Sequence, residues 1–245
     1  HADVDMAVKT IAWGKFINSG QTCIAPDHIY VHNKVRAEFE QKLVSQLTEW
    51  YGKDGKAGQP LAQVINSRHA DRVFHLIEDA VAKNAKVLHG GQIDRQTNFI
   101  SPTVLTDISS DAEIMQQELF GPLLPIIPFD DVESVIDKIN DAPKPLALYI
   151  WTKKQAVADR IIENTSAGGT CVNHISAHFL HHNLPFGGVN NLGIGSCHGE
   201  WGIRAFSHER AIVRTKIMTA KMFFPSKSNK TQTILNWLFK YLMRA

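Results

Sequence analysis

The stretch NSGQTCIAP, residues 18–26, places Cys23 in a turn between Gly20 and Pro26. Apolar residues before this stretch follow the 3.6-residue period of a helix, and Asp3 stands where a helix cap belongs. We expect this helix to stop near Gly20 and to deliver the cysteine to a turn, where a thiol can face a cleft and act as a nucleophile. Most isolated cysteines are small buried hydrophobic residues, so the turn alone does not decide between the two interpretations.

Helix and strand patterns alternate beyond the turn, which predicts an α/β fold with an open, mostly parallel Rossmann-like sheet flanked by helices. The last buried strand ends at Asn173, on the edge where open parallel sheets bind ligands. Residues 210–218 have the β-branched content of a strand without a partner in the chain, so we expect an oligomerisation strand there. The apolar stripe over 233–243 predicts a tail helix. Thr152 is the expected cap of the helix that follows the strand at 146–151. The strands are predicted at 29–31, 86–89, 100–105, 123–129, 146–151 and 170–173, and the first and last of these are expected to be buried.

The composition is that of an ordinary soluble globular protein, with 44% apolar and 20% charged residues in 245. Its three cysteines, Cys23, Cys171 and Cys197, show neither a disulfide framework nor paired zinc-ligand spacing. No secretory leader and no apolar run long enough to cross a bilayer is recognisable in the sequence. We therefore expect a reducing, cytoplasmic location.

The net charge of +2 is unevenly distributed along the chain. Residues 214–245 contain seven Lys or Arg and no acid, which leaves 19 basic and 24 acidic residues before them. Because the body is mildly acidic and lacks a nucleic-acid-binding motif, we expect no nucleic-acid partner. The basic, aromatic tail helix has two interpretations: weak contact with an anionic membrane surface, or packing on its own subunit or a dimer mate.

Five segments in order resemble the signatures of the aldehyde dehydrogenase superfamily, and residues 15–27 most resemble its class 3 branch. The resemblance extends from the first residue to about His208, and it adds the support that the cysteine turn lacked by itself. The segments are GQTC at 20–23, ELFGP at 118–122, Asn173, LPFGGV at 184–189 and FSH at 206–208.

This resemblance implies that Cys23 attacks an aldehyde and that its backbone N–H helps to hold the oxyanion. A thiol suits this chemistry, because the tetrahedral adduct can expel hydride to NAD or NADP and leaves a thioester that water opens. The same resemblance implies that Glu118 binds the nicotinamide ribose and that Phe120 packs beside the nicotinamide ring. Asn173 matches an asparagine near the substrate end, although it is equally well interpreted as a strand-end turn residue.

Four histidines, His174, His178, His181 and His182, lie within nine residues and suggest a metal site at first sight. Their spacing is not a recognised zinc pattern, and no cysteine or acid lies close to them in sequence. We therefore predict no metal and assign the segment to a loop near the substrate entrance.

The sequence departs from the family pattern in two respects. Leu192 stands where the family usually has serine, so the glycine-rich loop can differ locally. The hydrolytic glutamate, the oxyanion asparagine and the phosphate-binding loop precede the Cys23 helix in the family, and this sequence contains none of those motifs. The resemblance therefore implies a C-terminal catalytic portion that lacks the general base and most of the NAD(P)-binding domain, and that is inactive as an isolated dehydrogenase.

From these observations we predict three regions: a catalytic domain at 1–182, a glycine-rich return segment at 183–208, and an oligomerisation strand with a basic tail at 209–245. The expected function is NAD(P)-dependent oxidation of a small-molecule aldehyde, in a homo-oligomer, most simply a dimer. Two alternatives remain. One is a non-catalytic oligomerisation or membrane-surface fragment, and the other is simple thioesterase or esterase turnover by Cys23.

Overall fold

The computed structural model describes residues 1–58, 60–217, 224 and 229–242. The chain divides into a large unit, His1–Phe206, and a small one, Ser207–Ala245. This division does not test the three predicted regions, which remain a prediction. None of the helices in the described part of the chain has both the length and the apolar content that a bilayer crossing requires.

Eight α-helices are present among the described residues. Asp3 caps the first, as predicted, because its carboxylate accepts the N–H of Met6 at 3.1 Å. The last helix lies in the small unit and confirms the predicted tail helix. The helices are α1 Val4–Phe16, α2 Asn33–Tyr51, α3 Ser67–Ala82, α4 Val132–Asp141, α5 Gln155–Asn164, α6 Ala177–Leu180, α7 Gly199–Ala205 and α8 Asn229–Leu242.

The strands form one four-stranded sheet and two pairs. The sheet has the order β1-β6-β5-β2, with β1/β6 and β5/β6 parallel and β2/β5 antiparallel. A parallel pair, β7/β8, and an antiparallel pair, β3/β4, stand apart from it. The mostly parallel α/β fold is confirmed. The strands are β1 Ile29–His32, β2 Lys86–His89, β3 Ile93–Asp94, β4 Phe99–Ile100, β5 Thr103–Thr106, β6 Leu123–Phe129, β7 Ala147–Ile150 and β8 Gly169–Val172.

The two faces of the four-stranded sheet are covered by different helices. Adjacent residues of β5 point to opposite sides: Val104 belongs to the core cluster of α1 and α2, and Leu105 to that of α3. Leu124 and Leu123 of β6 alternate in the same way. Burial on both faces explains why these strands read as continuous apolar runs in the sequence.

Two predicted features are wrong in detail. The single strand at 100–105 is two strands, β4 and β5, because Pro102 between them has no N–H for a ladder hydrogen bond. Thr152 does not cap α5; the residue before that helix is Lys154, and the Thr152 hydroxyl accepts the Lys154 N–H at 3.1 Å.

The strand predicted at 210–218 is not formed within the single chain. Residues 210–217 are exposed and have no strand hydrogen bonds, and Met218 lies outside the described residues. A strand that pairs between subunits has no partner in one chain, so the intermolecular pairing stays a prediction.

Candidate active site

Residues 18–26, here called the cysteine turn, follow α1 directly. Three consecutive residues, 18–20, have left-handed backbone, with φ of 50°, 53° and 70°. Such conformations are costly for residues other than glycine, and they persist where the surroundings enforce them. The turn therefore leaves the axis of α1 abruptly, and Cys23 is exposed at its far side.

Side-chain hydrogen bonds hold the cysteine turn against the segment before α3. The Gln21 amide donates to Gln63 O at 3.1 Å and accepts the Ile65 N–H at 3.0 Å. The Ser19 hydroxyl donates to Ala62 O. Both ends of the Gln21 amide are thus satisfied, which fixes the path of the chain immediately before Cys23.

The cysteine turn packs backbone to backbone against residues 118–122, here called the ELFGP loop. A Cβ added to Gly20 would lie 2.2 Å from the carbonyl oxygen of Gly121, closer than real atoms approach. Gly20 also has a φ of +70°, which side chains rarely adopt. Glycine is therefore required for contact between two segments that are far apart in sequence, and this contact brings Cys23 and the ELFGP loop into one site.

The ELFGP loop is tied down by hydrogen bonds to its backbone. The Leu119 N–H donates to the Asp27 carboxylate at 2.9 Å, and Arg72 donates to the carbonyls of Glu118, at 3.1 Å, and Leu119. These bonds leave the Glu118 and Phe120 side chains exposed beside the cysteine turn. Phe120 has a φ of 42°, a strained backbone for an aromatic residue and a feature common at ligand sites.

A buried positive charge lies under the two segments. Lys15, in the last turn of α1, is only 1% exposed. Burial lowers its pKa to about 8, against the attraction of the Asp27 and Glu118 carboxylates. Burial raises the pKa of Asp27, but His28, Lys15 and the Leu119 N–H outweigh it and hold that pKa below its usual value.

Asn173 follows β8, as predicted, and its side chain joins β8 to the end of β7. Its Oδ1 accepts the Thr152 N–H at 2.9 Å, and its Nδ2 donates to Thr152 O at 2.8 Å. Its backbone is left-handed, with a φ of 55°. This geometry is that of the strand-end turn residue; the family role at the substrate end stays a prediction.

Tyr149 connects this strand pair to the cysteine turn. Its hydroxyl donates to Ile24 O at 2.8 Å, one residue after Cys23. Burial raises the pKa of Tyr149 to about 12, although hydrogen bonding with Ser176 acts in the opposite direction. The tyrosine therefore stays a hydrogen-bond donor to the residue after Cys23.

The three thiols have different surroundings. Cys171 on β8 is buried, with His178 Nδ1 at 3.0 Å from its sulfur, and burial lowers the pKa of that histidine. Cys197 is exposed and donates to Phe186 O at 3.1 Å. Cys23 is exposed and belongs to the turn whose Gly20 contacts the ELFGP loop, which makes it the accessible thiol of these two segments.

The histidine segment does not gather into a metal centre in the described part of the chain, where no group of three or more His, Cys, Asp or Glu is placed to hold an ion. His178 instead packs near the Phe186 ring, with the ring centroids 6.0 Å apart.

In the glycine-rich loop, Leu192, which stands where the family usually has serine, is exposed, and its carbonyl would lie 2.1 Å from a Cβ on Gly188. The backbone there folds tightly on itself, whichever side chain position 192 carries.

The structure therefore brings the cysteine turn and the ELFGP loop together and places Asn173 at the end of the neighbouring strand pair. Sequence analysis missed three supporting residues: Lys15, Arg72 and Tyr149. The position of Lys15 could have been predicted to be buried, because it lies on the apolar face of α1. The other two act on backbone carbonyls of distant loops, which no local pattern indicates.

Known proteins are similar to this chain in sequence and in fold. Residues 1–212 match the model of the aldehyde dehydrogenase family. Over 209 residues the chain is 43% identical to the dimeric NADP-preferring aldehyde dehydrogenase of Bos taurus, with 85% of each sequence covered. It is 41% identical to the putative aldehyde dehydrogenase AldX of Bacillus subtilis, covering 86% of this chain and 48% of that one.

A solved structure of Staphylococcus aureus AldH in a substrate-bound state superposes with a TM-score of 0.87 at 33% identity, covering 97% of this chain and 51% of that one. Apart from the Bos taurus sequence, the chain spans 42–49% of the length of the curated relatives compared. The family match and the shared fold lead to one conclusion: this chain belongs to the aldehyde dehydrogenase family.

Proposed function

We propose that the chain is the nucleophile-bearing portion of an enzyme that oxidises aldehydes to carboxylic acids with NAD or NADP. The contact of Gly20 with Gly121 supports this proposal, because the turn with the exposed Cys23 packs through Gly20 against the loop that holds Glu118 and Phe120. The names of the relatives support it: the Bos taurus protein is called NADP-preferring.

Cys23 would act first. Its thiolate adds to the carbonyl carbon of the aldehyde, and the resulting oxyanion is stabilised by backbone N–H groups of the cysteine turn. Departure of hydride converts the tetrahedral adduct into a thioester on Cys23. Water then adds to the thioester carbon, releasing the acid, a proton and the free thiolate.

The residues of the ELFGP loop fit a nicotinamide cofactor. The exposed Glu118 carboxylate can accept two hydrogen bonds from a ribose diol, and the exposed Phe120 ring offers a flat apolar face. When bound, the cofactor supplies the hydride acceptor. The strained backbone of Phe120 and the hydrogen bonds at Glu118 O and Leu119 O fix the direction of these side chains before any ligand arrives.

We propose further that the isolated chain is nearly inactive as a dehydrogenase. Its sequence has no glycine-rich phosphate loop after a strand and no candidate motif for the hydrolytic glutamate. Titration of the chain with NAD+ in a calorimeter should show no binding tighter than millimolar. Micromolar affinity would show that these residues hold the cofactor unaided.

Acylation by p-nitrophenyl acetate tests the nucleophile without a cofactor. We expect one acetyl group per chain, located on Cys23 by peptide mapping, and its loss in Cys23→Ala. Cys197→Ala is the matched control, because it removes the other exposed thiol. Acetylation of Cys171 or Cys197 in place of Cys23 would refute the assignment.

The same reaction distinguishes esterase turnover from a stalled half-reaction. A chain that lacks the hydrolytic base should release about one equivalent of p-nitrophenol in a burst and then slow sharply. Sustained turnover that disappears in Cys23→Ala would favour the thioesterase or esterase alternative.

A second candidate function, subunit association, is supported by exposed apolar residues in 210–217. Ile212, Val213 and Ile217 are 63%, 87% and 77% exposed, an unusual run for a soluble surface. We propose that this segment pairs with a second copy, in keeping with the relative that is named dimeric. Val213→Lys should shift sedimentation from dimer to monomer at micromolar concentration, and an unchanged sedimentation coefficient would contradict it.

We propose the tail helix α8 as a second interaction surface, for an anionic membrane. Ile234, Trp237, Phe239 and Tyr241 are each more than half exposed. Weak attachment to an anionic surface would combine these side chains with the basic charges of the tail. Co-sedimentation with anionic vesicles at low salt, lost when residues 233–245 are deleted, would support it; no binding at low salt would remove it.

A further inference from the structure

Lys15 is buried more completely than its charge warrants. It is 1% exposed, and among the described residues no carboxylate oxygen lies within 4.0 Å of its ammonium nitrogen. Lysines are almost never fully buried unless they are paired. A methionine of similar length would fill the same space without the cost of desolvating a charge, so packing alone does not account for this residue.

The charge of Lys15 acts on two carboxylates from different segments. Asp27 is the residue after the cysteine turn, and Glu118 opens the ELFGP loop. Asp27 also accepts the N–H of Leu119, the residue after Glu118, at 2.9 Å. The end of α1 lies at the contact between these segments, because a Cβ on Gly20 would be 3.2 Å from the Lys15 carbonyl oxygen and 2.2 Å from that of Gly121. The buried cation of Lys15 therefore lies near both segments that form the site.

Other charges in the neighbourhood are accounted for. His28 Nδ1 lies 3.7 Å from the Asp27 carboxylate, and Arg72 donates to the backbone carbonyl of Glu118. The His28 side chain is exposed and Arg72 binds backbone oxygens, whereas Lys15 is buried.

We propose that Lys15 is a positioning residue: its buried ammonium group holds the cysteine turn and the ELFGP loop together by attracting Asp27 and Glu118 at the same time. The inference deepens the proposed function, on which it rests for the roles of Cys23 and Glu118. Loss of the charge loosens the Leu119–Asp27 hydrogen bond and lets the ELFGP loop move away from Cys23.

Amide hydrogen exchange at Leu119 in the 245-residue chain tests this directly. Corrected for intrinsic rates, protection of this amide should fall as the pH rises through about 8, where Lys15 loses its proton. Lys15→Met should exchange at least tenfold faster at pH 7 and lose that pH dependence. Lys15→Arg should restore protection at pH 7 and keep it to higher pH, because arginine stays charged.

Lys9→Met is the matched control, because it removes an exposed lysine from the same helix. Its Leu119 exchange should equal that of the unchanged chain. Equal protection and equal pH dependence in the unchanged chain and in Lys15→Met would overturn the proposal. If Lys15→Met does not fold, the pH profiles of the unchanged chain and Lys15→Arg decide alone: a profile flat through pH 8 overturns it.

The exchange experiment does not depend on catalysis. Failure of Cys23 to accept an acyl group would remove the proposed function and leave the exchange result intact. Failure of Leu119 to respond to Lys15 would remove this inference and leave Cys23 as the nucleophile.

Discussion

At the scale of single residues, the site depends on one glycine more than on any side chain. Gly20 combines a left-handed backbone with contact against the Gly121 carbonyl. An added methyl group there meets backbone on both sides, and backbone cannot move away without displacing Cys23 or the ELFGP loop. The cysteine turn and the ELFGP loop thus share one steric constraint.

Gly20→Ala should lower the free energy of unfolding by at least about 3 kcal/mol, because backbone strain adds to a clash that cannot relax. Gly195→Ala is the control: its φ is +85°, but a Cβ there has no neighbour within 4 Å, so only the strain of about 1 kcal/mol remains. Urea unfolding of both variants measures the difference. Equal losses would show that the close approach at Gly20 is not maintained in solution.

Lys15 makes the free energy of unfolding depend on pH. Its pKa is 10.5 when unperturbed and about 8 in the folded chain, so between these values the unfolded chain binds more protons. The unfolding free energy therefore rises with pH across this interval, by on the order of 3 kcal/mol in total. Denaturation of the unchanged chain relative to Lys15→Met, from pH 7 to 10, measures this gain.

As the pH rises through about 8, protection of the Leu119 amide should therefore decrease while the free energy of unfolding of the whole chain increases. Deprotonation of Lys15 relieves its desolvation and stabilises the whole fold, while it removes the attraction that protects the Leu119 amide. The unfolding free energy of the unchanged chain, measured relative to that of Lys15→Met, should increase from pH 8 to 10. If this difference decreases or stays level, Lys15 does not carry a buried charge.

At the scale of elements, the Asn173 side chain joins the ends of strands β7 and β8. Asn173 satisfies both backbone groups of Thr152, and Tyr149 on β7 reaches the carbonyl after Cys23. The pair is not hydrogen-bonded into the four-stranded sheet, so these contacts contribute to its position beside the cysteine turn.

Asn173→Ala should lower the unfolding free energy by about 2 kcal/mol, at about 1 kcal/mol for each lost hydrogen bond. Asn98→Ala is a matched control, since Asn98 is also left-handed, with a φ of 56°, and its hydrogen bond from the Val64 N–H uses the backbone carbonyl, which the substitution keeps. Because Thr152 already occupies both polar atoms, acylation of Cys23 should change less than twofold. A tenfold slower acylation would instead support the role of Asn173 at the substrate end.

Most elements were predictable because their signals are local. The period of α3, the β-branched and apolar run of β6, and the Asp3 cap each depend on neighbouring residues only. The division at Pro102 was also readable, from the missing N–H. The separation of β7/β8 from the main sheet was not, because it depends on contacts between segments that have no common pattern.

The sequence predicted which residues belong to the candidate site, but it did not predict the contacts that hold them together. The motifs around Cys23 and Glu118 indicated the family, but their meeting at Gly20 and Gly121, and the buried Lys15 beneath them, follow from tertiary packing. Nothing in the order of motifs gives a distance between them.

At the scale of the whole molecule, the large unit, His1–Phe206, contains the cysteine turn, the ELFGP loop and Asn173. The small unit contains the predicted association segment and the tail helix α8. We therefore expect removal of residues 207–245 to abolish dimerisation without changing acylation of Cys23 in the remaining chain. Loss of acylation on this truncation would show that the site needs the small unit.

We propose that Cys23 is the activated thiol of this site, and the rates at which iodoacetamide alkylates the three cysteines distinguish it from the other two. In the folded chain, mass spectrometry should show Cys23 reacting at least tenfold faster than Cys197, which is also exposed, and the buried Cys171 reacting slowest. In urea the three rates should converge. Equal rates for Cys23 and Cys197 in the folded chain, or fastest reaction at Cys171, would contradict the account.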